Sequence, residues 1–187
     1  MGPLITLQVH DALRAAESTV EVSLDLGRTL SRVTVDAGGW THEGQRYPFP
    51  ETCKDRTIYY WDGDSWESVS RYTRSLIKLV PTAWGAPTFE IDGIKMLPTA
   101  QVSPYDDAGR KVALVQPRGK QVLDTCGGLG YFAAWCLEAG AARVHSFEKN
   151  PDVVWLRAHN PWSPRAGGPL QLEEADIAAA IVALPDR

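Results

Sequence analysis

The stretch Gln121–Asn150, QVLDTCGGLGYFAAWCLEAGAARVHSFEKN, constrains this chain more than any other part of it. Val122-Leu123 is a short apolar run that ends in Asp124 and then in a glycine-rich turn, Gly127-Gly128-Leu129-Gly130. Tyr131 to Leu137 reads as an apolar helix stopped by Glu138-Ala139-Gly140, and Arg143 to Phe147 as a second strand ending in Glu148. Strand, glycine turn, helix, strand and acid are the opening of a nucleotide-binding α/β unit. Glycines at such a junction let a ligand approach the backbone and leave N–H groups free at the helix start.

The rest of the chain bounds what that unit belongs to. A length of 187 residues allows one domain or a small pair, and the net charge of −4 gives no electrostatic footing for nucleic acid or an anionic membrane. Cys53, Cys126 and Cys136 are odd in number and lack CxxC spacing. That argues against a disulfide framework or a zinc site and fits a reducing cytoplasm. No charged segment followed by an apolar one opens the chain, and no apolar run is long enough to span a bilayer. A soluble, cytoplasmic protein is expected.

Taken in order, residues 1–16 read as a mildly helical peripheral arm. Ser18–Gly27, STVEVSLDLG, alternates as a half-buried strand does. Leu30, Val33 and Val35 suggest another strand, and Trp40 to Pro48 a third. Thr57–Trp61 and Ser65-Trp66 flank Asp62-Gly63-Asp64 as a hairpin, and Ser75 to Val80 is strand-like until Pro81. Phe89-Glu90-Ile91 and Ile94-Lys95-Met96 flank Asp92-Gly93, a dipeptide that readily takes the positive φ angles of a tight turn. Residues 1–98 therefore form a mostly β N-terminal lobe, whose aromatic residues read as the core of a small β unit. Residues 99–120 connect it, with a helix over Asp106 to Val115, to an α/β region at 121–187. There Asn150-Pro151 caps a short helix, Leu170-Gln171-Leu172 is a third strand, and Asp176 to Leu184 is a last helix.

Two ligand classes share the glycine-turn arrangement: nicotinamide or flavin dinucleotides, and S-adenosylmethionine. Gly128, Gly130 and Ala133 satisfy a loose G-x-G-x-x-A. Asp124 sits before the glycines, however, where a pyrophosphate would meet a like charge and the ammonium of a methionine moiety an opposite one. Glu148, about two dozen positions on, suits the two hydroxyls of a ribose. Each has a plainer reading, Asp124 as a turn or capping acid and Glu148 as a solvated loop acid. Cys126 reads as a turn residue rather than a nucleophile, since no histidine is near in sequence, and His145 as a structural or exposed strand residue.

Leu123-Asp124-Thr125-Cys126-Gly127-Gly128-Leu129-Gly130-Tyr131, Phe147-Glu148-Lys149-Asn150-Pro151 and Asn160-Pro161-Trp162-Ser163 together resemble a group of archaeal-type class I methyltransferases, distant relatives of the spermidine synthases. That group carries an LDTC-x-GLGY turn, an E-K-D-P after strand two and an NPWS soon after. The resemblance extends to Val22–Gly27 and Leu79–Thr82. It implies a Rossmann-like fold and S-adenosylmethionine as cofactor. Asp124 and the backbone around Cys126, Gly128 and Gly130 would hold the methionine part and Glu148 the ribose, with Tyr131 and Lys149 in the same cofactor-binding set. Asp176 resembles the acid that contacts the adenine amino group, and equally reads as a helix N-cap. Phe132 departs from the usual small hydroxyl residue, and Asn150 from the usual Asp.

The expected fold class is thus α/β, a mostly β lobe followed by an incomplete doubly wound sheet in which only the first three strands are found. A bare first strand is adhesive, so either the chain is a truncated piece, or a partner chain or second copy completes the sheet, or the N-terminal region folds back over the edge. The first two are favoured, with weak or no activity expected for the chain alone. Three functions stay open: a methyltransferase or its cofactor-binding portion, a spermidine-synthase-like aminopropyltransferase, and a non-catalytic adenosyl-binding module. No catalytic residue, acceptor or metal is assigned.

Overall fold

A computed structural model describes residues 2–183 of the chain. Its contacts divide into two units, Met1–Leu97 and Pro98–Arg187. The first holds β1 (Leu4–Ile5), α1 (Leu7–Ala15), β2 (Thr19–Val22), β3 (Ser31–Asp36), β4 (Gly39–His42), β5 (Gln45–Tyr47), β6 (Tyr59–Trp61), β7 (Trp66–Ser68), β8 (Ser70–Tyr72), β9 (Leu76–Val80), β10 (Thr88–Ile91) and β11 (Ile94–Lys95). They make three antiparallel sheets, ordered β1-β6-β7, β2-β3-β4-β5 and β11-β10-β9-β8.

Alternation explains most of these strands. In β3, Val33 and Val35 are buried while Arg32, Thr34 and Asp36 face solvent. Asp92 (φ +49°) and Gly93 (φ +80°) close the β10–β11 turn, in the left-handed region that matches the twist of the flanking strands.

Four expectations are corrected. The N-terminal arm is not peripheral, because Leu4 and Ile5 pair with β6 and are buried, and Leu13 of α1 joins Ile5 in a core with Val33, Trp40 and Tyr47. The strand expected over Ser18–Gly27 stops at Val22. Beyond it the Asp25 carboxylate accepts the backbone N–H of Arg28 and Thr29 and the hydroxyls of Ser23 and Thr29, which curls the chain into a turn. Trp40 to Pro48 is not one strand but the β4–β5 hairpin, turned at Glu43 (φ +50°) and Gly44 (φ +79°). The aromatic core is only partly as expected: Trp40 and Tyr47 stack at 4.5 Å, whereas Tyr72 and Trp84 are exposed.

The second unit holds α2 (Pro104–Val115), β12 (Gln121–Asp124), α3 (Tyr131–Glu138), β13 (Arg143–Glu148), α4 (Pro151–Ala158), β14 (Leu170–Glu174) and α5 (Ile177–Ala180), followed by a 3₁₀ turn over Ile181–Ala183. The three strands form one parallel sheet, ordered β12-β13-β14. The helix expected over 176–184 is thus a short helix and a tighter turn, and Leu184 lies outside the described residues.

Residues 99–120 do more than connect. Ser103 caps α2 by accepting the N–H groups of Tyr105 and Asp106, Pro104 takes the first helical position, and Val112 packs with Ala133, Cys136, Val144 and Leu170. Among the described residues β12 pairs with β13 on one side and with no strand on the other. No helix among them is long and apolar enough to cross a membrane.

Candidate functional site

Parallel pairing brings the carboxyl ends of the three strands to one edge, which gathers the acids that end them. Asp124 stands opposite Ser146, and Glu148 opposite Glu174, in register. Asp124 is buried and its Oδ2 accepts the Ser146 hydroxyl at 2.7 Å. Burial pushes the Asp124 carboxyl above the usual carboxylate value, and nearby Glu148 adds to the rise; the Ser146 hydroxyl, the Cys126 N–H and the Arg157 charge oppose it.

The turn after β12 is shaped by what surrounds its glycines. The Gly127 N–H bonds the Phe147 carbonyl at 2.7 Å, which lays the turn across the end of β13. A Cβ on Gly127 would lie 2.5 Å from both Arg157 Nη2 and Ser146 Oγ, so a larger residue would force these side chains to shift. Gly128 (φ +50°) and Gly130 (φ +81°) take left-handed backbone, and Gly130 is the N-cap of α3 without a capping side chain. The Gly128 N–H donates to Glu148 Oε2 at 2.9 Å, and the Asn150 N–H to Glu148 Oε1 at 2.9 Å. Each carboxylate oxygen carries further acceptor capacity, so Glu148 can bond the turn and a diol together.

Two residues the sequence reading did not assign build the back of this site. Arg157 of α4 is buried, and its Nε and Nη2 both donate to the Gly128 carbonyl, at 2.9 and 2.7 Å. Burial lowers its pKa, against the opposing pull of Glu148 and Asp124. Asn160 is also buried, and its Nδ2 donates to the Tyr131 hydroxyl and to Ser163 Oγ, each at 2.9 Å. Asn160 Oδ1 accepts the Trp162 N–H, and Ser163 Oγ donates to the Leu129 carbonyl at 2.7 Å. Asn160–Ser163 therefore works as a clamp on the glycine turn. A lone arginine on an amphipathic helix carries no sequence signal of burial; Asn160 stood in a motif without a stated role.

The remaining expected site residues fall in two places. Lys149 and Asp176 meet at the ends of β13 and β14, Nζ to Oδ2 at 3.9 Å, both well exposed. Asp176 also caps α5 by accepting the Ala178 N–H. Tyr131 is buried, its hydroxyl accepts from Asn160, and burial drives its pKa far up. Its ring meets Tyr105 edge-on. Cys126 is exposed. His145 is buried away from these acids' hydrogen bonds, with Nε2 2.7 Å from Glu173 Oε2.

No family model matches the chain. It is similar to an uncharacterized protein of Methanocaldococcus jannaschii, 34% identical over 168 residues that cover 82% of this chain and 55% of that protein. The chain spans about half the length of this relative. Among solved structures it is similar to a provisionally assigned RNA methyltransferase from Pyrococcus horikoshii, with 20% identity, a TM-score of 0.33 and coverage of 44% of this chain and 43% of that one. So slight a likeness carries no argument about fold or activity.

Proposed function

We propose that the second unit is the S-adenosylmethionine-binding portion of a methyltransferase with a Rossmann-like sheet. The observation that carries this is the Glu148 carboxylate, which ends the second parallel strand, holds the N–H of the glycine turn and keeps acceptor capacity for a ribose diol. The donor set fits this cofactor. Asp124 offers a shielded carboxylate to an ammonium, the Gly-rich turn offers its backbone, and Asp176 beside Lys149 offers an acceptor to an exocyclic amine.

A dinucleotide fits less well. Its pyrophosphate would approach Asp124, while Nε and Nη2 of Arg157 are engaged by the Gly128 carbonyl. The bound cofactor supplies an electrophilic methyl group. The chain's own residues bind it, orient it and shield it from water, which is how alignment lowers a displacement barrier. No residue here is assigned to the chemical step.

Among the described residues one edge of β12 carries no strand, which supports a second reading, an adenosyl-binding module whose sheet is extended by a strand from elsewhere. Aminopropyl transfer, by contrast, would show as preference for the decarboxylated cofactor.

Calorimetric titration with S-adenosylmethionine, S-adenosylhomocysteine, the decarboxylated cofactor and NAD tests the assignment. Binding of the first two, lost in Asp124→Ala and Glu148→Ala, is the expected result. Preference for NAD, or binding indifferent to both substitutions, overturns it. Turnover with candidate acceptors then separates the methyltransferase from the binding module.

A further inference from the structure

Arg157 is the buried charge that the cofactor assignment leaves without a task. Burying a guanidinium is costly unless its donors are well placed, and here Nε and Nη2 converge on one backbone oxygen, that of Gly128. Gly127 has no side chain where the guanidinium passes, and any Cβ there would collide with it. Gly128 is thus held from both sides, its carbonyl by Arg157 and its N–H by Glu148. Those two bonds fix ψ and φ of a residue that, as glycine at φ +50°, would otherwise move freely.

We propose that Arg157 is a positioning residue that acts through Gly128 to orient the Glu148 carboxylate toward a ribose diol. This rests on reading the second unit as an adenosyl site. What matters is the planar fork rather than the charge, because a lysine ammonium is a point donor that cannot hold the carbonyl from two nitrogens.

The test compares S-adenosylhomocysteine with its 2′-deoxy analogue in the full chain and in Arg157→Lys. Taking the ratio of the two affinities cancels any general loosening of the fold. The unaltered chain should prefer the ribose probe by roughly tenfold, the scale of one hydrogen bond to a charged group. In Arg157→Lys the preference should fall below about threefold while both probes still bind. A lysine variant that keeps the full preference overturns the proposal and leaves the adenosyl reading standing. A chain that binds neither probe removes both.

Should Arg157→Lys fail to fold, the unaltered chain supplies a second readout. The Arg157 Nε–H resonance, protected by its bond to Gly128, should shift on adding the ribose probe and shift less with the deoxy one. Equal response to both, or no response, overturns the proposal.

Discussion

Glu90 in β10 and Glu148 in β13 each have an arginine within electrostatic reach, and the two sites are wired in opposite ways. Arg56 bonds the Glu90 carboxylate directly, and Lys78 lies 3.5 Å from its other oxygen, so that nearly inaccessible acid is paired with two cations. Arg157 instead gives two donors to a backbone carbonyl, and Glu148 is left with single N–H groups from Gly128 and Asn150. A cation that meets the acid makes a structural pair. A cation that holds the backbone leaves the acid's lone pairs for something else.

Substituting each acid should break that comparison most visibly. Glu148→Ala should weaken S-adenosylhomocysteine binding by at least about a hundredfold, the upper range for bonds to one charged group. Glu90→Gln should leave that affinity alone and cost about 2 kcal/mol of stability, less than a fully buried pair because Arg56 is half exposed. Calorimetry beside thermal unfolding reads both. Equal affinity loss in the two variants would erase the distinction.

The glycines sharpen it next. Gly127→Ala should cost about 2–3 kcal/mol, because its Cβ meets Arg157 and Ser146. Gly44→Ala, with open space around it and only φ +79° to oppose it, should cost about 1 kcal/mol. Denaturant midpoints with unchanged slopes would support these values, and the reverse ranking would show that the turn, unlike the hairpin, can relax. Asn160→Ala, which removes a donor from the buried Tyr131 hydroxyl and from Ser163 Oγ, should cost about 1–3 kcal/mol, and Tyr131→Phe less.

The smallest effect is in pH dependence. Burial raises the Asp124 pKa; at Asp25 burial also pushes upward, but bonds from Thr29, Ser23 and Arg28 outweigh it and the pKa falls below 3.8. The contribution of Asp124 to stability is therefore present below the unfolded value of 3.8 and is lost as pH rises through its raised folded value. That of Asp25 is present above 3.8 and is lost as pH falls through its lowered folded value. Asp124→Asn should thus change the slope of stability against pH above 3.8, and Asp25→Asn should change it in the opposite sense below 3.8. Slopes that change in the same sense would contradict both assignments.

What could be read in the residues divides along the same line between local and assembled features. Alternation in β3 and the Asp92-Gly93 turn are local, and both were legible. The Glu43-Gly44 hairpin was hidden because Glu is an uncommon first residue for a turn of positive φ. Ser18–Gly27 alternates throughout, and nothing in that pattern discloses that the Asp25 carboxylate gathers the N–H groups that bend it. At the site, Asp124, Gly128, Gly130 and Glu148 stood out by their order along one strand–turn–helix–strand run. Arg157 did not, since its meaning comes from a carbonyl 29 positions earlier.

The same separation bears on folding order. The β10–β11 and β4–β5 turns join neighbouring strands through two residues, so those hairpins can close in microseconds from local encounters. The cradle at Gly128 exists only after β13 has paired with β12 across α3 and α4 has delivered Arg157. A small molecule seated there has nothing to grip in the early chain. Its stabilisation should appear almost wholly as slower unfolding, with the rate of folding left unchanged.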